Sequence, residues 1–408
     1  MHPAGGEWFA VRLNSFPMKR VQDPRSILVV LPTWVGDFVM ATPALGAIRQ
    51  RFAGAHITFL IEPNLRALAA GGKWMDECVE WPRKKHRSPL HKEYRDLVWD
   101  LRRRRFDWAV LFPNSFRSAL FVRLVGAARR VGYARDGRGF LLTDKIQESR
   151  NQKVKKSKRD KVKTAKHVRT EPVPLVEYYA DLAEALDCDR PGDRLELATT
   201  PECEEAVEAR LAALGLADHR PLVVVSPGAR YGAAKCWIPE RFAAVADRLI
   251  ETEGAAVIVT CGPGEEEIAR QIGAAMNRKG FVLDDPRIPL DQLKSLIRRS
   301  DLLICNDTGP RHIAKAFDVA VVTIFGPTHP GRTATSYAAE RIVRIDVECG
   351  PCQQRVCPLG HLDCMTGVSV DAVCSASREL LATYSGGTSK RRNVTTSKIQ
   401  KVETSKSP

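Results

Sequence analysis

The sequence predicts an α/β protein with two Rossmann-like, doubly wound domains facing a central cleft. Three observations predict it. Short, continuous apolar runs recur along the chain, as expected of parallel strands buried on both faces. Helical apolar periodicity follows several of these runs, the βαβ alternation that builds a parallel sheet. The pattern also starts twice, near residue 26 and near residue 220, with a break at about 190–220.

In chain order, Ser26-Ile27-Leu28-Val29-Val30-Leu31-Pro32 reads as a buried strand and leads through Thr33–Asp37 into a helix over 38–52. Ile57–Ile61 and Trp108–Phe112 read as further strands, and 176–186 as the helix that closes the first half. The second half opens with the strand Leu222–Ser226, a loop to Trp237, a helix over 239–253 and a strand at 256–260. Helix 289–299, strand 302–305, helix 310–317 and strand 320–325 complete it. The expected division is an unstructured extension over 1–25, a first domain over 26–215, a second over 216–384 and a tail over 385–408.

The 408 residues carry 63 Lys+Arg against 48 Asp+Glu, a net +15. Residues 151–170 hold +8 of this and 385–408 another +5, so the remainder is nearly neutral. Both segments read as disordered, the first as a basic insertion in the N-terminal domain. Within the remainder, residues 83–105 carry +7. Charge this regional points to a localised anionic partner and makes nucleic acid a minor reading, since no aromatic RNA-binding motif accompanies the lysines. No apolar run reaches the ~18–20 residues of a membrane span, and no signal peptide is read. Eleven cysteines, an odd number without an export signal, argue against a disulfide scaffold.

In doubly wound folds ligands bind outside the C-terminal strand ends, so the loops there carry the chemistry. In the first, Thr33-Trp34-Val35-Gly36-Asp37, Asp37 is either a general base at the cleft or simply an acid at a helix start. In the second, Ser226 to Trp237, Gly228 and Lys235 suit a phosphate, although the loop is not a Walker A motif. The third, Asn306-Asp307-Thr308-Gly309-Pro310-Arg311-His312, presents donors at a positive helix end. His312 is a ligand-site or a structural histidine. Phe325-Gly326-Pro327-Thr328-His329-Pro330 makes a similar turn after the next strand. A last segment holds Cys349, Cys352, Cys357 and Cys364, where zinc, an iron–sulfur site, reduced thiols and a local disulfide all stay open.

Val-Gly-Asp, Pro-Gly-Ala…Lys-x-Trp, Asn-Asp-Thr-Gly-x-x-His and Phe-Gly-Pro-Thr-x-Pro, in this order over about residues 26–384, resemble the signature of glycosyltransferase family 9, the ADP-heptose:lipopolysaccharide heptosyltransferases. The segment Cys349–Met365 looks like the C-terminal part of the heptosyltransferase II type. The resemblance implies a GT-B fold and inverting transfer of a heptose from ADP-heptose to the inner core of lipopolysaccharide. It implies Asp37 as catalytic base and Lys235 as holder of the donor diphosphate. Asp307, Thr308 and Gly309 match the donor-binding turn and His312 the histidine beyond it; Gly228, Gly326 and Thr328 join this donor set. Pro310-Arg311 departs from a more usual apolar pair.

As a base Asp37 must stay largely ionised, so strongly apolar surroundings would count against it. Thr33, Trp34, Gly36, Arg83, Lys84, Lys85 and Arg135 are expected on the acceptor side, with Arg87, Arg117 and Arg138 in the same basic band. No catalytic cofactor is expected; a structural zinc at the cysteines is one option. The partners expected are a nucleotide sugar, a lipopolysaccharide core and a peripheral membrane surface, with the enzyme a cytoplasmic monomer on the inner face of that membrane. The alternatives are a GT-B enzyme with another donor or acceptor, or a nucleotide-sugar epimerase.

Overall fold

The computed structural model describes residues 23–147 and 172–384. The expected basic insertion and tail, and nearly all of the extension 1–25, lie outside these residues. The first half runs β1 (Ser26–Val30), α1 (Val35–Arg51), β2 (His56–Ile61), α2 (Arg66–Ala69), β3 (Glu77–Glu80), α3 (Lys92–Arg103), β4 (Trp108–Leu111), α4 (Phe116–Val125), β5 (Arg129–Tyr133), β6 (Asp144–Ile146) and α5 (Leu175–Glu184). After α6 (Pro201–Ala213) come β7 (Leu222–Ser226), α7 (Pro239–Glu253), β8 (Ala256–Thr260), α8 (Glu266–Ala275), β9 (Phe281–Leu283) and α9 (Leu290–Arg299). The chain ends with β10 (Leu302–Asn306), α10 (Gly309–Ala316), β11 (Ala320–Ile324), β12 (Glu340–Val343), α11 (Asp363–Thr366) and α12 (Val370–Tyr384).

Two six-stranded parallel sheets result, ordered β3-β2-β1-β4-β5-β6 and β12-β11-β10-β7-β8-β9. Both have the doubly wound order, so strand succession reverses between β1 and β4 and again between β7 and β10. The apolar runs of β1 and β7 are buried on both faces, as helices covering each side require. The α/β, doubly wound expectation holds. The boundary that shifts most is the start of α1, at Val35 rather than 38, so Gly36 and Asp37 belong to its first turn.

The two halves pack directly against each other. One apolar cluster runs from Ile27 and Phe38 through to Leu303 and Ile313 without a gap. The N-terminal end of α1 abuts that of α10: a Cβ on Gly309 would lie 2.5 Å from Val35 Cγ1, and one on Gly36 would lie 3.0 Å from the His312 ring. Gly309 needs glycine because the branched stem of Val35 fills the space a side chain would take, and at Gly36 the His312 ring would have to give way. The Lys294 ammonium on α9 donates to the Ala67 and Ala70 carbonyls at the end of α2, at 2.7 and 2.8 Å.

Candidate active site

β1, β7 and β10 deliver their loops to one place, because each stands at a switch point of its sheet. Asn306, the last residue of β10, accepts the Trp237 N–H at 3.3 Å and donates to the Pro227 carbonyl, which staples the β7 and β10 loops. Lys235 then reaches the Asp307 carboxylate at 2.6 Å and its carbonyl at 3.0 Å. Thr328 donates to the same carboxylate oxygen at 2.7 Å, and Arg311 lies 3.3 Å from the other. Burial alone would raise the Asp307 pKa, but Arg311 and Lys235 hold it below the usual carboxylate range.

Behind this group lies a buried ionic core. Arg311 is fully buried and forks onto Glu340, which also accepts from Lys315 at 3.0 Å and from the Thr323 hydroxyl at 2.9 Å. Arg311 also donates to Thr333 Oγ1 at 2.6 Å. Against the cost of burial, Arg311 and Lys315 hold the Glu340 carboxyl well below its ordinary value. Burial and the neighbouring Arg311 bring Lys315 down to about 8.

Asp37 enters from the other half. It makes no hydrogen bond among the described residues, and burial pushes its carboxyl up to about 6 against the opposing pull of Lys235. The surroundings are thus more desolvating than the expectation of a largely ionised base implied, yet most of the group stays ionised at neutral pH. As a first-turn acid of α1 it also fits the plain structural reading, although Trp34 supplies no side-chain cap. His312 is buried, its ring set against Gly36, and its Nδ1 has no hydrogen-bond partner among the described residues. Burial, with Arg311 and Lys315 nearby, lowers its pKa well below the ordinary value, so the ring is neutral.

The remaining expected residues fall into separate groups. Gly228 faces Glu265, whose carboxylate accepts the Gly262 N–H at 2.9 Å. Thr308 is the N-cap residue of α10, its hydroxyl turned to the Asn306 carbonyl at 3.3 Å. Gly326 packs under Met365 and Cys364. Thr33 and Trp34 are exposed beside Asp37, whereas Arg83, Lys84, Lys85 and Arg135 are exposed on loops after β3 and β5. Those strands stand two places from β1 on either side, roughly 10 Å away at ordinary strand spacing. Two members of the basic band are not on offer to an anion. Arg138 is buried, bonded to the Tyr133 carbonyl at 2.9 Å and the Asn114 side chain at 3.0 Å. Arg87 pairs with Glu62 at 2.6 and 2.8 Å.

The cysteine segment covers the Lys235 loop: the Tyr231 hydroxyl donates to the Gln353 carbonyl at 2.7 Å, and the Arg355 carbonyl accepts the Ala234 N–H at 3.1 Å. Cys349, Cys352, Cys357 and Cys364 are free thiols, and no three of their sulfurs gather within 4.8 Å. The zinc and iron–sulfur options therefore find no ready donor set. Among the described residues the one such gathering is His86, His91 and Glu93, where His86 already bonds Glu93 at 2.7 Å.

Sequence reasoning missed Glu265, Lys315 and Glu340. Only Glu265 carried a usable signal: an acid shortly after the second strand of a Rossmann unit, where ribose hydroxyls are commonly bound.

Residues 94–363 match the model of glycosyltransferase family 9 (heptosyltransferase). The chain is similar to lipopolysaccharide heptosyltransferase 2 of Escherichia coli K12, 28% identical over 330 residues that span 78% of this chain and 88% of that one. It is 24% identical over 357 residues to lipooligosaccharide heptosyltransferase 2 of Campylobacter jejuni strain 81116, spanning 87% and 98%. The structure of E. coli ADP-heptose lps heptosyltransferase II superposes with a TM-score of 0.70 at 24% identity, covering 88% of this chain and all of that one.

Proposed function

Because the chain belongs to glycosyltransferase family 9, the heptosyltransferases, we propose that it moves a heptose from ADP-heptose to the inner core of lipopolysaccharide with inversion. The observation that carries the proposal is the meeting of α1 and α10. It brings Asp37, from the half assigned to the acceptor (26–215), within electrostatic reach of Lys235 and, through Gly36, beside the α10 N-terminus in the half assigned to the donor (216–384).

In this reading Asp37 takes the proton of the acceptor hydroxyl. The hydroxyl oxygen forms its bond to the anomeric carbon as the bond from that carbon to the diphosphate oxygen breaks, and ADP leaves. A base with a pKa near 6 and no competing hydrogen bond suits the task at neutral pH. The charge that grows on the diphosphate meets Lys235, whose third ammonium proton remains after its two bonds to Asp307, and the free N–H groups opening α10. Asp307 and Thr328 act by holding Lys235 rather than by touching the donor. Glu265, beside Gly228, is the acid for the ribose hydroxyls. Cation and helix end supply the positive field, so the proposal includes no catalytic metal. It also places the enzyme as a monomer against the cytoplasmic face of the membrane that holds the acceptor.

Asp37→Asn tests it: transfer should fall by about 10³-fold, the middle of the range for losing a general base, while ADP-heptose binding by calorimetry stays within a few-fold. Undiminished turnover in that variant sinks the assignment.

A further inference from the structure

All loops that follow strands of one parallel sheet emerge on one rim, and on the first sheet this rim carries an unusual set of side chains. Trp34 after β1, Leu90 after β3, Phe116 after β4 and Phe140 after β5 are 41%, 86%, 40% and 73% exposed. Single exposed apolar residues are ordinary, but several on one rim form a patch that calls for an occupant. The Phe116 and Phe140 rings lie 6.0 Å apart. Their loops are fixed rather than loose: buried Arg138, from the Phe140 loop, donates to the Pro113 carbonyl and to the Asn114 side chain just before Phe116. Arg117 donates to the Arg87 carbonyl, which ties in the loop bearing Leu90.

Arg83, Lys84, Lys85, Arg117 and Arg135 are exposed around these tips, against Asp136 and a Glu93 already bonded to His86. Apolar tips on separate convex loops do not make the groove that receives a peptide or helix. Ringed by cations, they match the boundary between anionic headgroups and acyl chains. No helix among the described residues is long and apolar enough to cross a membrane, so the contact is lateral.

We infer that Leu90, Phe116 and Phe140, ringed by Arg83, Lys84, Lys85 and Arg117, are a docking face for an anionic lipid bilayer. Trp34, three residues before Asp37, borders the same rim, so docking would turn the mouth of the cleft toward the lipid surface. Only that use, presenting a lipid-linked acceptor, rests on the proposed function; the surface stands on its own geometry.

The test is co-sedimentation of the full-length protein with phosphatidylethanolamine–phosphatidylglycerol vesicles, without donor or acceptor, and with phosphatidylcholine vesicles for comparison. Binding should need the anionic lipid and weaken with salt. Phe116→Ser combined with Phe140→Ser should lower the partition coefficient at least about tenfold, with an unchanged circular-dichroism spectrum and unchanged transfer to an acceptor stripped of its acyl chains. Trp99→Ser, an exposed aromatic on α3, should change nothing. Wild-type-like vesicle binding in the double variant overturns the inference and leaves the contact to the basic segments 151–170 and 385–408. Failure of the wild type to bind anionic vesicles overturns it as well. Vesicle binding without any heptose transfer would instead remove the proposed function and leave this surface standing.

Discussion

In the proposed mechanism Asp37 sits where its charge costs stability and serves the reaction. Its folded pKa near 6 lies above the ordinary 3.8, so between these values the folded state binds more protons than the unfolded one. Stability therefore falls as pH rises through that window, and above it the cost of the half-buried carboxylate is fully present. Asp37→Asn should raise stability above pH 7 by up to about 3 kcal/mol while removing activity, a pairing that thermal melts at pH 5 and pH 8 would reveal. The same group gives the wild type a kcat/KM that rises with pH through an apparent pKa near 6; a flat profile there would remove Asp37 from the base role. Arg311 presents the opposite case, a buried cation whose value lies in its partners. Arg311→Met leaves Glu340 with Lys315 and the Thr323 hydroxyl but without its forked cation, and should cost about 3–5 kcal/mol in urea unfolding. Replacing Arg311, Lys315 and Glu340 together with Met should recover most of that loss, because no charge is then left unpaired.

At the scale of elements, two helix ends decide the site. A methyl group on Gly309 meets Val35 at 2.5 Å, against the Cβ-branched stem of a residue that cannot turn away, so the ends of α1 and α10 must part. Gly309→Ala should lower kcat about 100-fold, the usual cost of misplacing reacting groups by about 1 Å, in steady-state assays. Gly46, further along α1, has nothing within 4 Å, and Gly46→Ala should add ~0.5–1 kcal/mol of stability without touching kcat. The apolar strands were legible, with α1, α5, α7, α9 and α10, because pattern and burial agree there; α4 and α8, which also follow apolar strands, were not read. The strands Glu77–Glu80, Arg129–Tyr133 and Glu340–Val343 were not, since they are short and charged and pair only because a neighbouring strand offers its edge. The site divides in the same way. Asp37, Lys235, Asp307 and His312 sit in strand-end loops or in the helix turns that follow them, in motifs whose residue types announce them. Arg311 stood out as a departure, but its partner Glu340 lies 29 positions away on a strand that no pattern marks. Arg138 looked like a surface cation because only the folded loops show that it is enclosed.

The whole molecule depends on keeping its halves in register, because Asp37 and Lys235 come from different sheets. Domains within one chain usually move relative to each other unless their interface is large and apolar, and here one apolar cluster crosses it. Lys294 adds a polar lock. It is fully buried, and its ammonium supplies a charge to the carbonyls closing α2, where cations are favoured. Burial brings its pKa down to about 8, so between 8 and 10.5 the unfolded chain binds more protons and stability gains with rising pH in that window. Lys294→Met removes the donor and leaves two carbonyls facing apolar atoms, at about 1–3 kcal/mol for each acceptor left unsatisfied. Because the apolar cluster remains, calorimetry should still show a single transition, shifted to lower temperature and without the wild type's gain above pH 8. The donor loops lie wholly within the second half, so ADP-heptose should bind the variant as before, while kcat falls because Asp37 is held less firmly against them. Unchanged kcat in a destabilised Lys294→Met protein would mean that the α1–α10 contact alone sets the register of the two halves.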